Sequence, residues 1–191
     1  MDGFGGAMRP ADFVASAMLN PVNAALLSRL PSLGPRQCHL TAGCLFQATW
    51  NFLSGRAAGW GIKDYDVLYF DDADLSWDAE DAVIRRAQAM TCDLGIKVEV
   101  RNQARVHLWY GQRFGVEYPK LASAQEGIDR YLIQCTCIGM EVASGALYAP
   151  NGFGDLGGGI LRLNTVNSQP ELFRRKAEDY QARWPWLTIH R

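Results

Sequence analysis

The run Val67-Leu68-Tyr69-Phe70 is apolar at every position, and five aspartates bracket it: Asp64, Asp66, Asp71, Asp72 and Asp74. A strand with one polar face can lie against water, but one that is apolar on both faces needs cover on both. Residues 64 to 70 therefore predict an interior strand of a sheet.

The neighbouring segments supply the rest of an α+β arrangement. Ser76 is a candidate N-cap, acids fill the first turn after it, and Ala82, Ile84, Ala87 and Met90 share one side of a helix that Gly95 closes. From Lys97 to Leu108 polar and apolar residues alternate, with Lys97, Glu99, Arg101, Gln103, Arg105 and His107 in one set and Val98, Val100, Val106 and Leu108 in the other. That parity predicts a second strand, long enough to need a bulge or break near Asn102.

Elsewhere, residues 11 to 30 read as two short helices broken at Asn20-Pro21, and a helix starts near Gly43 and stops at Gly55. Ser123 and Glu126 form a capping box for a short helix through about Tyr131, and a hairpin turns across Ala143-Ser144-Gly145. The glycine-rich residues 151 to 159 read as a loop. Residues 169 to 184 form a terminal helix with Phe173, Ala177, Tyr180 and Trp184 as its buried stripe. A chain of 191 residues with 48% hydrophobic residues suits one folded domain. The expected layout is a helical extension over residues 1–37 and a core over 38–191.

Nineteen basic and twenty acidic residues leave a net charge of −1, so no overall field draws the protein to nucleic acid or to an anionic membrane. The opening MDGFGGAMRP lacks the apolar stretch of a secretory leader, and no run approaches a membrane span. A cytoplasmic location is expected, in which Cys38, Cys44, Cys92, Cys135 and Cys137 stay reduced. Cys135-Thr136-Cys137 has the wrong spacing for a zinc site.

Asp64 and Asp66, two apart at a strand mouth, project to one face with Cα atoms about 6.5–7 Å apart. Two carboxylates there suit a hard cation such as Mg²⁺ or Mn²⁺, whose remaining positions water and substrate phosphate fill. Glu99 has the parity to join them from an adjacent strand, although Arg101 and Arg105 on its own face are rival partners for it. The helix start at Gly43-Cys44 offers unpaired N–H groups to phosphate. Lys63, Arg105 and His107 are secondary nucleotide-binding candidates.

A glycine-led helix, an Asp-x-Asp opening an apolar strand and a single acid on a later strand resemble the polymerase-β-like nucleotidyltransferase superfamily. More narrowly, AGCLFQATWN, IKDYDVLYFD, VEVRNQARVHLWYGQRFG and YAPNGFGDL resemble a bacterial nucleotidyltransferase family, from about residue 40 to the C-terminus. The resemblance implies a small mixed sheet flanked by helices and transfer of a nucleoside monophosphate from an NTP to an acceptor, whether small molecule, RNA or protein. It implies Asp64 and Asp66 as paired metal ligands, Glu99 as the third acid and Gly43-Cys44 as the phosphate turn. Cys44 departs from the Gly-Gly or Gly-Ser turn of the superfamily, and about twenty residues, more than usual, separate it from Asp64.

Two other readings stand beside this one. A catalytically silent nucleotide-binding or interaction module accommodates the odd Gly43-Cys44 turn. A sugar-nucleotide glycosyltransferase would place its metal on Asp72 and Asp74, but the seventy mostly helical residues before them leave no large nucleotide-binding half. With Ser76 as cap, these aspartates read as a solvated lead-in to the helix. GDLGGG lacks the Lys-Ser/Thr of a P-loop, and Arg174-Arg175-Lys176, balanced by Glu171, Glu178 and Asp179, reads as a solvated face.

Overall fold

The computed structural model describes residues 8–190. The chain opens with α1 (Pro10–Ala17) and α2 (Pro21–Arg29), where Asn20 caps the second helix by accepting from the Val22 N–H at 3.1 Å. Proline at the first helical position removes a donor that would have had no partner. Next come β1 (His39–Thr41), α3 (Gly43–Leu53), β2 (Tyr65–Tyr69), α4 (Trp77–Thr91) and β3 (Val98–Asn102). After α5 (Val106–Phe114) and α6 (Ala124–Ile128), β4 (Gly139–Glu141) and β5 (Leu147–Tyr148) form the expected hairpin. The chain ends with α7 (Gly154–Gly158), β6 (Ile160–Leu161), α8 (Pro170–Arg183) and β7 (Thr188–Ile189).

Five strands form one mixed sheet in the order β3-β2-β1-β4-β5, with β2 and β3 parallel and the other neighbours antiparallel. As its sequence requires, β2 has a partner on each side. Its odd-numbered residues Tyr65, Val67 and Tyr69 enter the main core with Leu40, Val100, Trp50 and Ala87, which α3 and α4 help to build. Its even-numbered residues Asp66 and Leu68 face the other way, where Leu68 packs with Ile128, Cys137 and Tyr131. Gly139 lets Ile128 approach that face, since a Cβ there would stand 2.6 Å from the Ile128 Cδ1. The N-terminal helices share the main core: Phe13, Ala17 and Leu26 are fully buried, and Asn23 donates to the carbonyls of Ala17 at 2.9 Å and Cys44 at 2.8 Å.

The break expected near Asn102 is present, since β3 ends at that residue, but the chain does not resume as a strand through Leu108. The buried Asn102 side chain accepts from the Ala104 N–H at 3.1 Å and the Asp71 N–H at 3.1 Å, and donates to the Asp71 carbonyl at 2.7 Å. It therefore ties the ends of β2 and β3 together and turns the chain into a 3₁₀ turn, Gln103–Arg105, and then α5. A strand would bury Val106 and Leu108 alike; the helix buries Val106 and leaves Leu108 49% exposed. Arg105 and His107 thus sit on a turn and a helix, not on the polar face of a strand.

Other differences are smaller. The glycine-rich loop contains α7, residues 132 to 138 hold a 3₁₀ turn rather than a strand, and β1, β6 and β7 are additional. At three residues β1 is too short to show a period of two, and only its two partners make it a strand. Among the described residues no helix is long and apolar enough to cross a membrane.

Candidate active site

In the sheet Asp66 lies between Thr41 of β1 and Glu99 of β3, its register partners on the two sides. Side chains paired in register project to the same face, so Glu99, Asp66 and Thr41 form a row across the sheet. Asp64, two residues upstream, stands at the mouth of β2 and is near enough to act on Asp66.

Electrostatics mark Asp66. Burial, and then the like charges of Asp64 and Glu99, raise its carboxyl to about 7, opposed by the cations Lys176 and Arg101. Glu99 behaves differently, because the Lys97 ammonium hydrogen-bonds it and lowers its pKa, with Arg101 at 3.7 Å adding to the effect. Of the two rivals for Glu99 on its own face, Arg101 lies loosely beside it, while Arg105 is bound elsewhere. Its Nη1 forms a buried ion pair with Glu80 and its Nε donates to the Leu75 carbonyl at 2.8 Å. Lys63 is exposed on the loop before β2, and His107 has a buried Nδ1 with no hydrogen-bond partner among the described residues.

The turn from β1 into α3 closes the row. Ala42, the residue before the helix, has φ +61° and ψ −139°, a backbone state that is strained for any residue with a side chain. After it the first turn of α3 points its free N–H groups to the end of the sheet. Gly43 is buried and makes room for the Gln47 side chain, since a Cβ there would lie 2.6 Å from the Gln47 Nε2. The Cys44 thiol does not face the opening: it is fully buried and donates to the Thr41 carbonyl at 3.2 Å. What this turn offers an anion is its backbone.

Lys176 of α8 is exposed, as its reading in sequence as part of a solvated face expects, yet its charge acts on Asp66. The surrounding crevice lowers its pKa, and Asp66 and Asp64 pull it back up. Arg174 and Arg175 are exposed like Lys176 itself, and Asp179 pairs with Arg183 at 2.7 Å. The sequence signal was its spacing, three residues after the buried Phe173 and four before the buried Tyr180, which sets Lys176 at the rim of the packed stripe. Between α8 and the sheet lies a cavity of about 270 Å³ whose walls include Leu68, Arg101, Trp109, Arg130, Tyr131 and Lys176. Arg130 stacks 4.8 Å from the Tyr118 ring and has a buried Nε without a partner among the described residues.

The second aspartate cluster is occupied locally. Asp71 accepts from the Ala73 N–H at 3.0 Å, Asp74 from the Ser76 N–H at 2.8 Å, and Ser76 caps α4 by accepting from the Ala79 N–H at 3.2 Å. Asp72 is exposed beside them.

Among the described residues no three His, Cys, Asp or Glu side chains converge into a ready-made metal site. The donor set still fits Mg²⁺: the oxygens are hard, and a cation beside Asp66 would offset the burial and like-charge repulsion that raise its carboxyl. Completion of a site requires the Glu99 carboxylate to turn from Lys97.

No curated protein matches the chain. A solved structure whose description reads that it reveals a CCA-adding enzyme head domain shares the fold, with a TM-score of 0.75 at 20% identity over 95% of this chain and 96% of that one. A family model described as Nucleotidyltransferase matches residues 28–189, which include β1, the Gly43 turn, all three acids and α8. On that match, the chain belongs to the nucleotidyltransferase family.

Proposed function

We propose that the protein transfers a nucleoside monophosphate from an NTP to an acceptor hydroxyl, with Mg²⁺ or Mn²⁺ as cofactor. The observation that carries this reading is the register of Asp66 between Thr41 and Glu99, which gathers acids beside the free N–H groups of the Gly43 turn. The triphosphate lies along that turn, with Lys176 and Arg101 as counter-charges. The ring of the nucleotide enters the cavity between α8 and the sheet, against Tyr131 and Trp109. Asp64 and Asp66 hold the metal, and Glu99 joins them or takes the acceptor proton.

In the reaction the acceptor oxygen bonds to the α-phosphorus, the bond from that phosphorus to its bridging oxygen breaks, and pyrophosphate leaves. A bound Mg²⁺ supplies charge neutralisation of the phosphates in such a step. The protein's own share is to orient the NTP and to hold a base near the acceptor hydroxyl.

Isothermal titration tests the reading. NTP binding is expected to require Mg²⁺ and to disappear in Asp64→Asn and Asp66→Asn, whereas Asp72→Asn and Asp74→Asn leave it intact. Binding untouched by the first pair removes the assignment, and sensitivity to the second pair favours the glycosyltransferase reading. A second reading, a nucleotide-binding module without turnover, is favoured by the Glu99 carboxylate held on Lys97 and by the inward Cys44 thiol. Incubation with labelled NTP, metal and cell extract separates the two, because only a transferase leaves label on an acceptor.

A further inference from the structure

A second cavity, of about 420 Å³, lies beyond the edge strand β3, between the start of α4 and α5. It shares Arg101 and Trp109 with the cavity under α8, so these two side chains form the wall between them. Its remaining walls include Trp77, Glu80, Arg105 and Arg113.

Two features of the lining are unusual for a surface. Trp77 is 62% exposed and has no core to seal, and Trp109 presents a second indole across the opening. The single acid in the walls, Glu80, is already neutralised by Arg105, so the guanidiniums of Arg101 and Arg113 dominate the field inside. Arg105 is also held in place, with Nε on the Leu75 carbonyl and its guanidinium 5.6 Å from the Trp77 ring centroid, which makes this wall rigid before any ligand arrives. Open aromatic faces beside positive charges suit a flat ring that carries an anion. The volume lies near the lower part of the roughly 300–1,000 Å³ range of small-ligand sites, enough for one nucleotide unit and too little for a duplex. Arg101 of its wall stands 3.7 Å from the Glu99 carboxylate, so the cavity opens beside the third acid.

We infer that this second cavity receives the acceptor, and that the acceptor is a nucleoside phosphate, either free or at the end of an RNA strand, whose ring stacks on Trp77 or Trp109 and whose phosphate meets Arg113 and Arg101. The inference rests on the transferase reading for the word acceptor, while the pocket and its ligand class rest on the cavity alone. A polycationic acceptor is excluded by the same guanidiniums that hold a phosphate.

The test uses the full chain in low salt with EDTA and, separately, with Mg²⁺. AMP and a trinucleotide RNA are titrated calorimetrically into the wild type, Trp77→Ala and Arg113→Glu, with melting temperatures recorded for all three. Both side chains are exposed, so folding survives their loss. At least one probe is expected to bind without metal, with affinity falling about tenfold or more in each variant. In Trp77→Ala the Mg²⁺-dependent NTP affinity changes by less than about twofold. AMP and RNA bound alike identify a free nucleotide as the source, and RNA bound alone identifies a strand end; both results support the pocket. Absence of binding by both probes, binding that survives both substitutions, or an equal fall in NTP affinity in Trp77→Ala overturns it. If NTP binding proves indifferent to Asp64 and Asp66 while AMP or RNA still depends on Trp77, the transferase reading falls and the nucleotide pocket stands.

Discussion

At the scale of single residues, Asp66 concentrates the conflict between stability and use. An unfolded aspartate ionises near pH 4, whereas folded Asp66 holds its proton up to about 7 because burial and two neighbouring acids oppose its charge. Across that window the folded state binds more protons than the unfolded one, so the contribution of Asp66 to stability declines as pH rises from about 4 to 7. An amide at this position has no charge to desolvate. Asp66→Asn is therefore expected to be more stable than the wild type at pH 8, by on the order of 1–2 kcal/mol after allowance for solvent at the site, and nearly equal at pH 4. Thermal melts across pH check this, and a variant equally destabilised at both pH values contradicts it. The same variant is expected to lose NTP binding, the pattern of a residue retained for chemistry at a cost in stability.

At the scale of elements, the junction of β2, β3 and α4 decides where the acids stand. Strand parity alone placed Glu99 correctly beside Asp66, because a period of two is local and Lys97 to Asn102 obeys it. The same parity misplaced Arg105 and His107, because Asn102 ends the strand through bonds to Asp71, thirty-one residues away in sequence. Nothing local announces that partner. Asn102→Ala removes three hydrogen bonds and leaves the part-buried Asp71 backbone and the buried Ala104 N–H without these partners, which is expected to cost about 1–3 kcal/mol in denaturant titrations. A loss below about 0.5 kcal/mol would show that the bracket is incidental. Helix signals were more legible, since Ser76, Ser123 and the Asn20-Pro21 break each act within three or four residues of their own position.

Across the whole molecule, α8 closes the structure over the sheet and carries Lys176 to the acids. Trp184 at its end is fully buried, lies tilted against Trp50 with ring centroids 5.3 Å apart and donates from Nε1 to the Asn51 Oδ1 at 3.0 Å. Trp184→Ala opens a large void beneath α8 and is expected to cost roughly 3–5 kcal/mol, with NTP affinity falling as Lys176 loosens. A calorimetric enthalpy and melting point close to those of the wild type would refute this. By itself the sequence determined the parts whose cause is local: the interior strand at Val67, the caps, the strand parity of Glu99, the buried stripe of α8 and the family phrases. Only the tertiary structure decided which charges meet. Lys176 comes from the far end of the chain, Arg105 is taken by Glu80, Glu99 leans on Lys97, and three short strands exist only because partners hydrogen-bond to them. Periodicity and capping act over a few residues, whereas electrostatic and hydrogen-bond partners are chosen by distance in space, which the order of residues alone does not contain.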